Sequence, residues 1–127
     1  MPLHILVVDD NQEATELLQE LLSMEGHVVR TASTGQEASA LIRQQPVQVL
    51  MLDQHLPDTT GANLLPELQA LQASHGAPRA IAVAVTGAVS HSRNPGDAQW
   101  PGFDHVLGKP IDFDALDALI ARWSTPS

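Results

Sequence analysis

Four apolar runs each end in a residue able to do chemistry. ILVV runs into an acid pair, Asp9-Asp10, and VLML runs into Asp53. AIAVAV ends at Thr86, and VLG is followed by Lys109, the only lysine of the chain. Three carboxylates brought together repel one another unless a cation joins them. Hard oxygen ligands suit magnesium, which keeps waters and leaves room for a phosphate. A carboxylate beside such an ion can attack phosphorus. The ion, the Thr86 hydroxyl and the Lys109 ammonium would then bind the oxygens over which transition-state charge is spread. Lys109 supplies a compact point charge. The expectation is that it faces an anion held at Asp53.

These residues converge only if the runs are neighbouring strands. His4–Val8 reads as a buried strand, and Val28-Val29 as the start of a short second one. Val47–Leu52 reads as the third, Ala80–Val85 as the fourth and Val106-Leu107 as the fifth. Between them lie segments of helical period. Ala14, Leu17, Leu18, Leu21 and Leu22 form one apolar face, closed by Gly26 as a left-handed cap. Thr34 can cap a second helix carried by Ala38, Leu41 and Ile42, which Pro46 stops. Leu64, Leu65, Leu68 and Leu71 make a third, with Pro66 early enough to be tolerated. Phe113, Leu116, Leu119, Ile120 and Trp123 carry the last helix, from near Asp112.

Strand and helix alternating about five times predict an α/β fold, a parallel sheet covered by helices on both faces. Ligands of open α/β sheets bind beyond the carboxyl ends of the strands, where strand order reverses. In the doubly wound order 2-1-3-4-5 that crevice lies between strands one and three, where the three acids would meet. One region resists the pattern. Between Thr86 and Phe103, Asn94-Pro95-Gly96 and Pro101-Gly102 are turn signals, predicting a short or broken fourth helix.

Composition narrows the function classes. The 127 residues suit one compact domain, 1–127. The net charge of -9 and six scattered cations argue against nucleic-acid binding. Without cysteine there is no disulfide framework or thiolate chemistry. The apolar runs are shorter than a bilayer span, so no membrane insertion is expected. A cytoplasmic location fits both features.

Blander roles exist for each residue. Asp10 can cap the first helix, Asp53 can be a turn acid, Thr86 a strand-end hydroxyl and Lys109 a solvated lysine. Capping needs one acid, so the pair favours a metal, and the joint pattern carries the sharper reading. The six histidines show no paired zinc-ligand spacing.

Four motifs in order, ILVVDDN, VLMLDQHLPDTTG, VAVTG and GFDHVLGKPID, resemble the receiver domain of bacterial two-component response regulators over nearly the whole chain. The resemblance implies a flavodoxin-like fold and Mg2+ as cofactor. It implies Asp53 as phosphoacceptor, Asp10 and Asp53 as direct metal ligands, and Asp9 acting mainly through water. The backbone carbonyl of His55 would complete the protein ligands, and Thr86 and Lys109 would serve the transferred group. The donor would be a phosphohistidine on a sensor histidine kinase or a histidine phosphotransfer protein. His55 and Ala88 would set the lifetime of the phosphoryl group. Val106 stands where the family often carries Tyr or Phe, so an aromatic readout is not expected.

The leading expectation is a phosphoacceptor signalling domain, catalysing only its own phosphorylation and dephosphorylation. The chain closes at Ser127 after its last helix, which suits a stand-alone regulator, a relay station or the receiver of a hybrid sensor kinase. The alternatives are a phosphate-independent interaction module on the same fold, or a small phosphatase with an Asp nucleophile. The phosphatase usually needs a second acid two residues after the nucleophile, where His55 stands. A flavin-binding reading fits the fold, but Asp9-Asp10 would repel the flavin phosphate.

Overall fold

The computed structural model describes residues 3–86, 102–108 and 111–124. Along the chain run β1 (His4–Val8), α1 (Gln12–Met24), β2 (Val28–Ala32), α2 (Gly35–Gln44), β3 (Val49–Asp53), α3 (Gly61–Ser74), β4 (Ile81–Thr86), β5 (His105–Gly108) and α4 (Phe113–Ser124). The five strands form one sheet, ordered β2-β1-β3-β4-β5, and every pairing is parallel. The expected doubly wound α/β order is therefore present. The segment expected to hold a short or broken fourth helix lies outside the described residues.

Alternate residues of the central strands feed two cores. Leu6, Val8, Leu50, Leu52, Ala82 and Ala84 pack against Ala38 and Ile42 of α2 and Leu64, Leu65 and Leu68 of α3. Ile5, Val7, Val49, Met51, Val83 and Val85 pack against Leu18 and Leu22 of α1 and Leu116 and Ile120 of α4. Burial of both sheet faces explains why the strands read as continuous apolar runs.

Each helix begins at an identifiable cap. Asn11, Thr34 and Thr60 accept the backbone N–H of Ala14, Glu37 and Asn63 respectively. Asp112 Oδ1 accepts from Asp114 and Ala115, which places the start of α4 where the sequence suggested. Gly26 closes α1 at φ +93°, a conformation that glycine adopts without strain.

Four expectations need correction. Leu17 is 55% exposed, so the inner face of α1 is carried by Thr15, Leu18 and Leu22. Trp123 is only half-buried, lying against the core and tilted against the His105 ring at 5.3 Å. The third strand starts at Val49 rather than Val47. The Gln72 side chain, buried in α3, donates to Val47 O at 2.8 Å and accepts from Val47 N at 2.7 Å, so those groups are already paired ahead of the ladder. The fourth strand is Ile81–Thr86, shifted one residue along the chain from the expected Ala80–Val85.

Candidate functional site

The site is built at the carboxyl ends of β1, β3 and β4. β1 pairs with both β2 and β3, so its last residues open onto the crevice where strand order reverses. Asp9 leaves β1 with its N–H donated to Ala32 O at 3.0 Å, which ties it to the end of β2. Its Oδ1 accepts the N–H of Asn11 at 2.9 Å. The cap of α1 is Asn11, so Asp10 does not take the capping role open to it in the sequence.

Asp53 is the last residue of β3 and lies opposite Val85 of β4. Asp9 and Asp53 are almost wholly buried, while Asp10 is exposed at the mouth. One carboxylate oxygen from each of Asp9, Asp10 and Asp53 lies within 4.8 Å of the others. Such a cluster of oxygens, one side open, has the donor chemistry of a magnesium site that retains waters. The residues fit the ion the sequence called for.

Thr86 closes β4 at 2% exposure, one residue beyond the Asp53–Val85 register pair, and faces Gly108 of β5 across the sheet. Val106, opposite Ala84, packs half-buried against the core on the α2–α3 side. Lys109 and Ala88 lie outside the described residues.

Beyond Asp53 the chain folds into a small hairpin. Gln54 N–H donates to Val85 O at 3.1 Å, which keeps its first residue on the sheet. Gly61 N–H donates to Gln54 O, Leu56 N–H donates to Thr59 O, and His55 bridges Thr60 antiparallel. His55 also gives its N–H to Asp53 Oδ1 at 3.3 Å. The return is so tight that a Cβ at Gly61 would meet Asp53 O at 2.8 Å, which only glycine avoids. The His55 side chain is exposed at the rim, and its backbone lies two residues beyond Asp53.

Sequence reasoning missed the residue at the hairpin's tip. Asp58 Oδ1 accepts the N–H of Gly35 at 2.8 Å, and its Oδ2 accepts that of Gln36 at 3.0 Å. The bond from Gly35 does most to lower the pKa of its carboxyl; burial opposes this, and the bonds from Gln36 and from its own N–H add to the lowering. An acid after proline in a turn was the only sequence signal.

Beside the acids, Ala14, Leu17, Leu18 and Leu21 of α1 line an apolar groove of about 470 Å³ with Ile111 and Phe113, and Asp9 and Asn11 at its end. Among the described residues, no helix is long and apolar enough to cross a membrane.

The chain matches the model of the response regulator receiver domain over residues 5–121. It is 32% identical over 118 residues to the transcriptional regulatory protein ZraR of Escherichia coli K12, covering 93% of this chain and 25% of that protein. The chain thus spans about a quarter of that relative's length. A CheY-like receiver domain from Methylobacillus flagellatus superposes with a TM-score of 0.76 at 27% identity, covering 96% of this chain and 98% of that one. The receiver domain of Saccharomyces cerevisiae Ssk1, crystallised with the histidine phosphotransfer protein Ypd1, superposes at 0.81 with 22% identity over 96% of this chain and 88% of the other, a likeness of fold.

Proposed function

Because the chain belongs to the response regulator receiver domain family, we propose that it is a phosphoacceptor that takes a phosphoryl group from phosphohistidine onto Asp53. The observation that carries this reading is the meeting of Asp9, Asp10 and Asp53 within 4.8 Å at the carboxyl ends of two adjacent strands.

A carboxylate oxygen of Asp53 attacks phosphorus in line with the departing imidazole nitrogen. The new P–O bond forms as the P–N bond breaks, and the nitrogen keeps the electron pair. Asp10, Asp53 and the His55 carbonyl would hold Mg2+ directly and Asp9 mainly through water, and the ion would supply positive charge toward the phosphoryl oxygens. The Thr86 hydroxyl donates to one of those oxygens, and Lys109 binds another by its position after β5. Burial of Asp53 limits the water that can reach the acyl phosphate. His55 at the rim would alter the lifetime of the phosphoryl group, while Asp53, Thr86 and Lys109 would let the domain catalyse its own phosphorylation and dephosphorylation.

The donor would be a sensor histidine kinase or a histidine phosphotransfer protein. The exposed Leu17 and the groove beside it offer an apolar landing face that ends at Asp9. A helix carrying the phosphohistidine, seated on that face, brings phosphorus to the acid pocket. The Ssk1 receiver, of the same fold, was crystallised with such a partner.

The decisive experiment is intact mass after incubation with acetyl phosphate, with and without Mg2+, for the wild type and Asp53→Asn. A magnesium-dependent gain of one phosphoryl group, absent in Asp53→Asn, is expected. No gain from either acetyl phosphate or a phosphorylated histidine protein would leave a phosphate-independent interaction module.

A further inference from the structure

The tip of the 54–61 hairpin is anchored at a distance from its base. At the base, Gln54 N–H is held by β4, and Gly61 N–H returns to Gln54 O. At the tip, both oxygens of Asp58 are engaged by the first two amides of α2, 22 and 23 residues away in sequence. These amides are donors that no turn within the helix can satisfy. The contact is close: a Cβ on Gly35 would stand 2.7 Å from Thr59 Cγ2, so a larger residue there would require the Thr59 side chain to shift. Helix α2 has its own cap as well, since Thr34 accepts the Glu37 N–H at 3.1 Å. Asp58 therefore adds to the helix something its local sequence already supplies in part. It gives the hairpin a polar anchor at its tip, beside the packing of Leu56 against the core.

We propose that Asp58 is a positioning residue for the metal site: by tying the hairpin tip to α2, it fixes the backbone that carries the His55 carbonyl next to Asp53. The inference rests on the magnesium reading above. The covalent path from Asp58 to His55 is short and stiffened by Pro57 and the His55–Thr60 bridge. Movement at the tip is therefore passed to the carbonyl. Helix α2 follows directly from β2, whose Ala32 holds the Asp9 N–H, so the tether joins the two walls of the acid pocket.

The test is calorimetric titration of the full chain with Mg2+, run beside thermal unfolding, for the wild type, Asp58→Ala, Asp58→Asn, Thr34→Ala and Asp10→Asn. Both Asp58→Ala and Thr34→Ala remove acceptors from the same helix end and should lower Tm. Only Asp58→Ala should also weaken Mg2+, on the order of tenfold, the usual cost of losing a partner that orients a ligand. Asp58→Asn keeps one acceptor oxygen and should fall between Asp58→Ala and the wild type, and it serves if Asp58→Ala does not fold. Amide exchange at Leu56 should quicken in Asp58→Ala and not in Thr34→Ala. Unchanged Mg2+ affinity in both Asp58 variants, with Asp10→Asn weakened, would make Asp58 only a cap and overturn the proposal. No Mg2+ binding by the wild type would overturn the magnesium reading, and this inference with it.

Discussion

The carboxylate of Asp9 accepts the N–H of Asn11 at 2.9 Å, so one of the two adjacent acids is committed to the turn into α1 while Asp10 stands exposed beside it. The two acids therefore differ in what their loss should do. Asp10→Asn removes charge from a crowded cluster and no turn contact, so Tm without Mg2+ should rise. Mg2+ should raise the Tm of the wild type by mass action and that of Asp10→Asn much less, with affinity lower by about tenfold or more. Asp9→Ala should lower Tm even without the ion. Scanning calorimetry with and without Mg2+ checks all three, and a fall in Tm for metal-free Asp10→Asn would contradict the crowding argument.

Leu17 is 55% exposed on α1, so its replacement should leave the fold intact. Leu17→Glu should slow transfer from a phosphorylated histidine protein by about tenfold, the scale of losing one apolar anchor. Phosphorylation by acetyl phosphate, which needs no docking face, should not change. Parallel rate measurements with the two donors separate docking from chemistry.

Gln72 is fully buried in α3 and bonds both backbone groups of Val47 and the carbonyl of Pro78. Gln72→Met keeps the length and bulk but strands those groups. The expected loss in urea unfolding is about 2–4 kcal/mol, because buried backbone groups would lose their partners. A loss near zero would mean that water replaces the amide.

Glu25, at the carboxyl end of α1, stands beside Asp117 of α4, and the hydrogen bond its protonated form can give Asp117, then burial and the Asp117 charge, raise its pKa. A carboxyl with a folded pKa above its unfolded value stabilises the fold fully below the unfolded value. That contribution disappears as pH rises through the folded value. At pH 7 two carboxylates face one another, and one also opposes the helix dipole. Glu25→Gln should therefore raise Tm at neutral pH, with the gain vanishing in acid. A pH series of melting curves reads the crossover.

The strand ends were legible because chemistry sat at regular places in the sequence. An acid pair, an acid and a threonine each followed an apolar run, and parallel order 2-1-3-4-5 brings such ends together. Helix caps at Thr34 and Asp112 were legible for a similar reason, since capping is local. The Asp58 tether was not, because it joins a loop to the first turn of a distant helix and depends on tertiary approach. Leu17 misled because spacing marks apolar residues without saying which ones a neighbouring element covers. Val47 misled because its backbone is satisfied by a glutamine side chain from α3, a substitute for a strand partner that no strand propensity registers.

The pairing of β1 with β3 has a consequence for the growing chain. Asp9 and Asp10 emerge early in synthesis, Asp53 only after two βα crossovers, and Thr86 after three. Parallel pairing of distant strands must await loop closure, so these ends assemble late in folding. No short stretch of the chain contains the pocket: from Asp9 to Thr86 it draws on three strands and the crossovers between them. A nascent, clipped or locally unfolded copy therefore lacks the assembled pocket and is silent rather than falsely active, which makes completion of the sheet a quality check on the signal.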